Sequence, residues 1–308
     1  MSERRRGLIY GLSAYLLWGL FPLYFPLLDP TPPIEILAHR IVWSLLVLVV
    51  VVLVARRWSW IKPLLHDRRR MLLLPAAAVT IALNWGVYIY GVNSEQVVQT
   101  SLGYFINPLV SVLFGVVLLK ERLRPPQWAA VGLGAFAVVV LTIDYGGLPL
   151  IALTLAVSFG TYGLIKKTLD MGAVESLSAE TAILAPVAFI YLAFLASTDS
   201  SAFVTEGPQM AVLLASLGVI TVVPLLFFGA SATRIPLTWI GLLQYTAPVL
   251  QFLIGVYVYN EPMPASRWIG FALVWSALVI LAIDSLIAVR RGRARPDLEI
   301  DEAAQEAR

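Results

Sequence analysis

SLGYFINPLVSVLFGVVLLKERLRPPQW (Ser101–Trp128) and GLLQYTAPVLQFLIGVYVYNEPMPASRW (Gly241–Trp268) lie on one register, 140 residues apart. That offset sets Leu102, Pro108, Leu113, Gly115, Glu121 and Trp128 on Leu242, Pro248, Leu253, Gly255, Glu261 and Trp268. It continues without a gap to Leu141, Ile143 and Asp144 against Leu281, Ile283 and Asp284, and it also lays Glu35 on Glu175. Leucine matches are cheap in so apolar a chain. Coincident Pro, Gly, Glu, Trp and Asp are not. Both stretches open on an uncharged run close to the ~20 residues that carry a helix across a hydrocarbon core of about 30 Å.

The rest of the chain repeats this texture. Of its 308 residues, 59% are hydrophobic and 13% charged, against about 25% charged in a soluble domain. The mean hydropathy is +0.82. Ten segments are long and apolar enough to span: 7–28, 34–55, 71–92, 97–119, 127–143, 149–165, 178–197, 210–230, 238–258 and 267–289. The connections are short, so no soluble domain is expected. Arg4, Arg5 and Arg6 look like the start of a signal peptide, but no small-residue cleavage site follows. The reading is an all-α integral membrane protein.

Every Lys and Arg except Arg40 and Arg267 falls at the N-terminus, after an even-numbered span or in the tail. With ten spans all of these lie on one face, and the positive-inside rule makes that face cytoplasmic, with both termini on it. Five spans per half is an odd number, so the two halves insert with opposite orientation. The sequence thus predicts a 5+5 inverted-topology repeat. Residues 1–145 and 146–289 are the two halves, and 290–308 form a disordered, mixed-charge cytoplasmic tail. Inverted repeats are a signature of secondary transporters, whose sites form where the halves meet.

Several classes of chemistry lack their residues. There is no Cys and there are two His, so no thiol nucleophile, disulfide or multi-His metal centre is expected. Gly132, Gly134 and Ala137 match a dinucleotide fingerprint as text, but inside an apolar span with no strand before it. No P-loop, HExxH or GxSxG occurs. Catalytic residues, metals and cofactors are expected to be none. Basic residues at span ends do not make a nucleic-acid surface. The expected partners are a small-molecule substrate and the lipid bilayer, with a homodimer left open. Gly7 and Gly11 form a G-x-x-x-G read as a site of close helix packing.

Arg40 is the sharpest functional signal. It lies within the second span, ~9 Å along the helix from Ile34 at 1.5 Å per residue. A mid-span Arg costs about 2.5–3.5 kcal/mol on insertion scales, so it should face a wet cavity or a partner rather than lipid. His39 is its neighbour but points ~100° away around the helix. Glu180 is the repeat equivalent of Arg40. Its depth is mirrored toward the cytoplasmic face, so the two charges differ by roughly 12 Å along the membrane normal. Opposite mouths of one pathway fit this better than a direct ion pair. Asn84 and Tyr88 share a helix face, as do Tyr104 and Asn107. Gln244 and Tyr245 complete the expected wall of a pathway for amphipathic organic solutes, stacking cations included. Pro108 and Pro248 each remove a backbone hydrogen bond and are expected to kink their helices.

The stretches EILAHRIVWS (Glu35–Ser44), SLGYFINPL (Ser101–Leu109), ERLRPPQW (Glu121–Trp128), VPLLFFGASATR (Val223–Arg234) and QYTAPVLQFL (Gln244–Leu253) resemble RarD proteins. These form the chloramphenicol-sensitivity branch of the EamA family within the drug/metabolite transporter superfamily. The resemblance runs from about Gly7 to Asp284 and implies a bacterial inner-membrane permease, without supplying a substrate. One position departs from it, since Gln99 stands where the resemblance leads one to expect Glu. The expected activity is secondary transport of small organic solutes. The competing expectation is a membrane-embedded enzyme acting on lipid-linked substrates, which would need a nucleophile, metal or acid–base pair at membrane depth.

Overall fold

The computed structural model of the chain describes the backbone of residues 2–306 apart from 57 and 121. Side chains are described for these residues apart from 118, 119, 237, 238, 285 and 288–306. All regular structure among the described residues is helical. The principal helices are α1 (Glu3–Gly19), α2 (Pro33–Val54), α3 (Arg68–Asn93), α4 (Val97–Leu119), α5 (Pro125–Asp144), α6 (Leu150–Leu169), α7 (Ala173–Ser197), α8 (Gly207–Ala232), α9 (Thr246–Tyr257) and α10 (Ala265–Glu306). The tail expected to be disordered at 290–308 falls outside the described side chains.

Nine helices among the described residues are long and apolar enough to cross a membrane, and a bent pair makes a tenth. Their outward faces are apolar as well. Val187, Phe189, Ile190 and Phe194 along α7 are each more than 60% exposed. Such a stripe would aggregate in water and is at home only against lipid. The chain is therefore a multi-pass membrane protein.

The first span, expected as one helix over 7–28, is broken. α1 ends at Gly19, a short helix covers Phe21–Tyr24 and a 3-10 turn covers Phe25–Leu28, bent 42° from α1. The cause is Pro22 and Pro26, four residues apart. Neither has an N–H, so the carbonyls four residues earlier, on Trp18 and Pro22, lose their α-helical donors. Side chains from the ninth span and its end replace them. Gln251 Nε2 donates to the Trp18 carbonyl at 3.2 Å, and the Tyr259 hydroxyl donates to the Pro22 carbonyl at 2.7 Å. In lipid an unsatisfied carbonyl has no water to turn to. Tyr259→Phe is expected to cost about 1 kcal/mol, read as a lower Tm in detergent; an unchanged Tm would mean the carbonyl finds another donor.

The ninth span is also interrupted. A helix over Leu237–Leu243 stops at Gln244 and Tyr245 before α9 resumes at Thr246. Pro248 is responsible, because it cannot donate to the Gln244 carbonyl. Its repeat partner Pro108 lies inside an unbroken α4.

The chain forms two compact units. The larger comprises 1–111 and 149–262, the smaller 112–148 and 263–308. In the larger unit α8 packs on α1 and α2, α3 on α6 and α7, α2 on α7, and α1 on α9. Gly11 of the G-x-x-x-G abuts Ser231 of α8, whose hydroxyl donates to the Gly7 carbonyl at 2.8 Å, so the motif serves packing within the chain. In the smaller unit α5 lies on α10, clasped at both ends. Arg124 before α5 meets Asp284 of α10 at 2.8 Å, and Arg267 at the start of α10 meets Asp144 at the end of α5 at 2.8 Å. Each helix start sits beside the far end of the other's membrane-spanning stretch, Pro125–Asp144 or Ala265–Asp284, so the two run antiparallel. This is what the matched Asp144 and Asp284 do.

Candidate functional site: an aromatic cavity with one unpaired cation

The larger unit encloses a cavity of about 430 Å³. Its wall includes Arg40, Asn84, Tyr88, Tyr104, Asn107, Gln244, Tyr245 and Pro248. The sequence had marked all of these, and the fold brings them together from α2, α3, α4 and the ninth span. The remainder of the wall includes seven aromatic residues: Tyr15, Trp18, Phe21, Trp85, Phe159, Tyr162 and Phe228.

Arg40 is 4% exposed. Its Nε donates to Thr221 Oγ1 on α8 at 3.0 Å. Its guanidinium lies 4.1 Å from the ring centre of Trp85 on α3 and 5.3 Å from that of Phe21. Two rings and a hydroxyl from three spans therefore fix the group, a geometry that uses the flat face of guanidinium. The ion pairs of the described residues all lie elsewhere, so Arg40 has no carboxylate partner among them.

Asn84 ties three helices at the same wall. Its Nδ2 donates to the Leu155 carbonyl at 3.1 Å and to Ser158 Oγ at 2.9 Å on α6, and its Oδ1 accepts from the Tyr104 hydroxyl of α4 at 3.2 Å. Tyr88 Oη, Asn107 Oδ1 and Gln251 Oε1 are buried without a hydrogen-bond partner. Buried polar atoms of this kind are uncommon and call for an explanation.

The cavity runs toward one end of the bundle. Its wall reaches the helix ends at Lys166 and Ala173, where α6 passes into α7. At the opposite end it stops at Phe21, Arg40 and Tyr88. Beyond them the broken end of the first span packs Phe21, Phe25 and Leu28 against Ile36, Tyr88 and Ile89. Arg40 thus sits at the closed end.

His39 and Glu180 stay out of the cavity wall. His39 lies on the other side of α2, as its ~100° offset from Arg40 requires. Its ring stacks on Phe203 with centroids 5.1 Å apart, and its Nδ1 accepts from Trp43 Nε1 at 3.3 Å. Glu180 is 0% exposed and already paired. Lys166 Nζ is 3.1 Å from its Oε1, Ser176 Oγ donates to the same oxygen at 2.5 Å, and the Tyr162 hydroxyl donates to Oε2 at 2.9 Å. Lys166 also bonds Ser176. Gln99 serves elsewhere too, capping α6 by accepting from Ile151 N at 3.1 Å.

Sequence reading missed Lys166, assigned to the loop after the sixth span, and with it Tyr162. Their i, i+4 spacing, which puts both on one helix face, was the available signal. It also missed Trp85, one residue from Asn84 and three from Tyr88. Lys166→Met should leave a buried carboxylate uncompensated and cost about 3 kcal/mol or more, whereas Lys166→Met with Glu180→Leu should be far milder. Thermal unfolding of the two variants decides this, and equal losses would mean the pair is not coupled.

Comparison with known proteins places these features in a family. The EamA-like transporter family model matches residues 5–143. Protein RarD of Streptomyces exfoliatus is 55% identical over 294 residues, covering 96% of this chain and 93% of that protein. An uncharacterized transporter of Vibrio cholerae is 40% identical, covering 95% and 97%. One crystal structure shares the fold with a TM-score of 0.55 at 21% identity, covering 90% of this chain and 96% of that one. On these matches the chain belongs to the EamA family of membrane transporters and, within it, to the RarD-type proteins.

Proposed function

We propose that this protein is a secondary transporter of small organic solutes such as drugs or metabolites, working by alternating access between two inverted five-helix halves, 1–145 and 146–289. It resides in a bacterial cytoplasmic membrane with both termini inside. The observation that carries this reading is the cavity, open toward one end, closed at the other by an aromatic plug and walled by spans of both halves. Two further observations support it. Exchanging each helix n with n+5 maps the pairings α1 on α8 and α3 on α6 onto one another, and maps α2 on α7 and α5 on α10 onto themselves. The antiparallel clasp of α5 and α10 is what opposite insertion of the halves requires.

An enzyme acting on lipid-linked substrates would need an acid–base pair or nucleophile facing the cavity. The described cavity wall holds no carboxylate, and Glu180, bonded to the wall residues Lys166 and Tyr162, is itself fully buried.

Because the chain has no Cys, introduced thiols report cleanly. Lys62→Cys should react with an impermeant maleimide from the cytoplasmic side only; labelling in intact cells would overturn the orientation. Gly163 lines the cavity, and an added Cβ there meets nothing within 4 Å. Gly163→Cys should label from the cytoplasmic side, and more slowly from outside through the outward-facing population. Labelling from one side alone, together with no solute flux in proteoliposomes, would sink alternating access.

A further inference from the structure

We propose that the cavity selects an organic monoanion with an aromatic or apolar body, its carboxylate docking on Arg40 at the closed end. The inference rests on the transporter reading above and names the substrate class of that same site. The charge balance of the wall carries it. Two ionic side chains line the cavity, Arg40 and Lys166. Lys166 is neutralised by Glu180, which is itself shut away from the lumen. Arg40 is left as one uncompensated positive charge buried among apolar and aromatic side chains, where a fixed charge acts more strongly than in bulk water.

The geometry of Arg40 adds to this. Its Nε is used by Thr221 and its flat face by Trp85 and Phe21, which leaves the Nη edge as the part without a described bond. That edge is a fork suited to bidentate capture of a carboxylate. The surrounding rings suit a planar or apolar body, and the unbonded Asn107 Oδ1 can accept from a neutral donor on it. A cationic solute would meet Arg40 head-on, and no free acid in the described wall would receive it.

The test uses the purified full-length protein and matched triads of one body with three heads. The bodies are naphthyl, indolyl and decyl; the heads are carboxylate, carboxamide and ammonium. A ligand that binds the folded state raises Tm with its concentration. The expected result is a saturable shift with at least one carboxylate, at a half-saturating concentration at least tenfold below that of its amide, and no shift with its amine. In Arg40→Gln that preference should vanish. The carboxylate-to-amide ratio in the unsubstituted protein decides the matter even if the variant does not fold. No carboxylate exceeding its amide in any triad, or an amine binding best, would overturn the proposal.

The same compounds in proteoliposomes separate the two readings. A carboxylate that binds in this way but is never translocated would remove the transport function and leave the anion site. Flux of amides or amines that is indifferent to Arg40 would remove the anion site and leave the transporter.

Discussion

Arg40→Ala should reduce solute flux in proteoliposomes by about two orders of magnitude, at unchanged insertion into the membrane. The size follows from what the side chain contributes. Charge-assisted hydrogen bonds to a desolvated guanidinium contribute about 1.5–3 kcal/mol, and about 3 kcal/mol is roughly a hundredfold in affinity. Folding should suffer little, because the substitution removes a desolvated cation whose one hydrogen bond among the described residues is to Thr221. Arg40→Lys should recover part of the flux. Its ammonium keeps the charge but cannot lie flat on Trp85 while offering a fork. Expression and detergent monodispersity must be matched between variants. Full flux in Arg40→Ala would show that the cavity works without its one unpaired charge, and the site described here would fall.

The largest structural effect is expected at Gly218. A Cβ built there would lie 2.4 Å from the Trp43 carbonyl oxygen and 2.5 Å from its carbon. These are backbone atoms of α2, so no rotamer change relieves the contact. Gly218→Ala must push α2 and α8 apart and should cost about 3 kcal/mol or more, at the upper end for overpacking. The damage should reach the site, since Trp43 is three residues from Arg40 and Gly218 three from Thr221, so one close approach sets the Arg40–Thr221 bond. Gly229 of the same helix is the control, because an added Cβ there meets nothing within 4 Å. Gly229→Ala should leave Tm unchanged or raise it through helix propensity. Equal behaviour of the two alanines would refute the close-contact account.

The sequence made some of this legible because membrane crossing writes itself into local composition. Span positions, the repeat register and the buried Arg40 all follow from counting apolar residues and finding the exception. Asn84 with Tyr88, and Tyr104 with Asn107, were readable because helical spacing fixes which residues share a face. Partners across helices were not readable. Lys166 looked like one more cytoplasmic cation, and only the fold, with α6 and α7 both packed on α3, reveals that it is spent on Glu180. The ~100° offset of His39 from Arg40 was readable from helical spacing, but its stacking on Phe203, more than 160 residues away, was not. Reading 7–28 as one helix misses the break in the first span, although Pro22 and Pro26 were the available signal. That the chain tolerates it depends on Gln251 and Tyr259, more than two hundred residues away, which local sequence cannot disclose.

The clasp between α5 and α10 has a bearing on ancestry. Each membrane-spanning stretch has a base at its start and an acid at its end, Arg124 with Asp144 and Arg267 with Asp284. Two antiparallel copies of α5 would bring Arg124 of each against Asp144 of the other, closing two ion pairs from one sequence, and two copies of α10 would do likewise. The charge pattern is complete within a single half and needs no contribution peculiar to its fused partner. If the halves arose by duplication, as the proposed inverted repeat implies, a five-helix precursor inserted in both orientations would already have possessed this fastening.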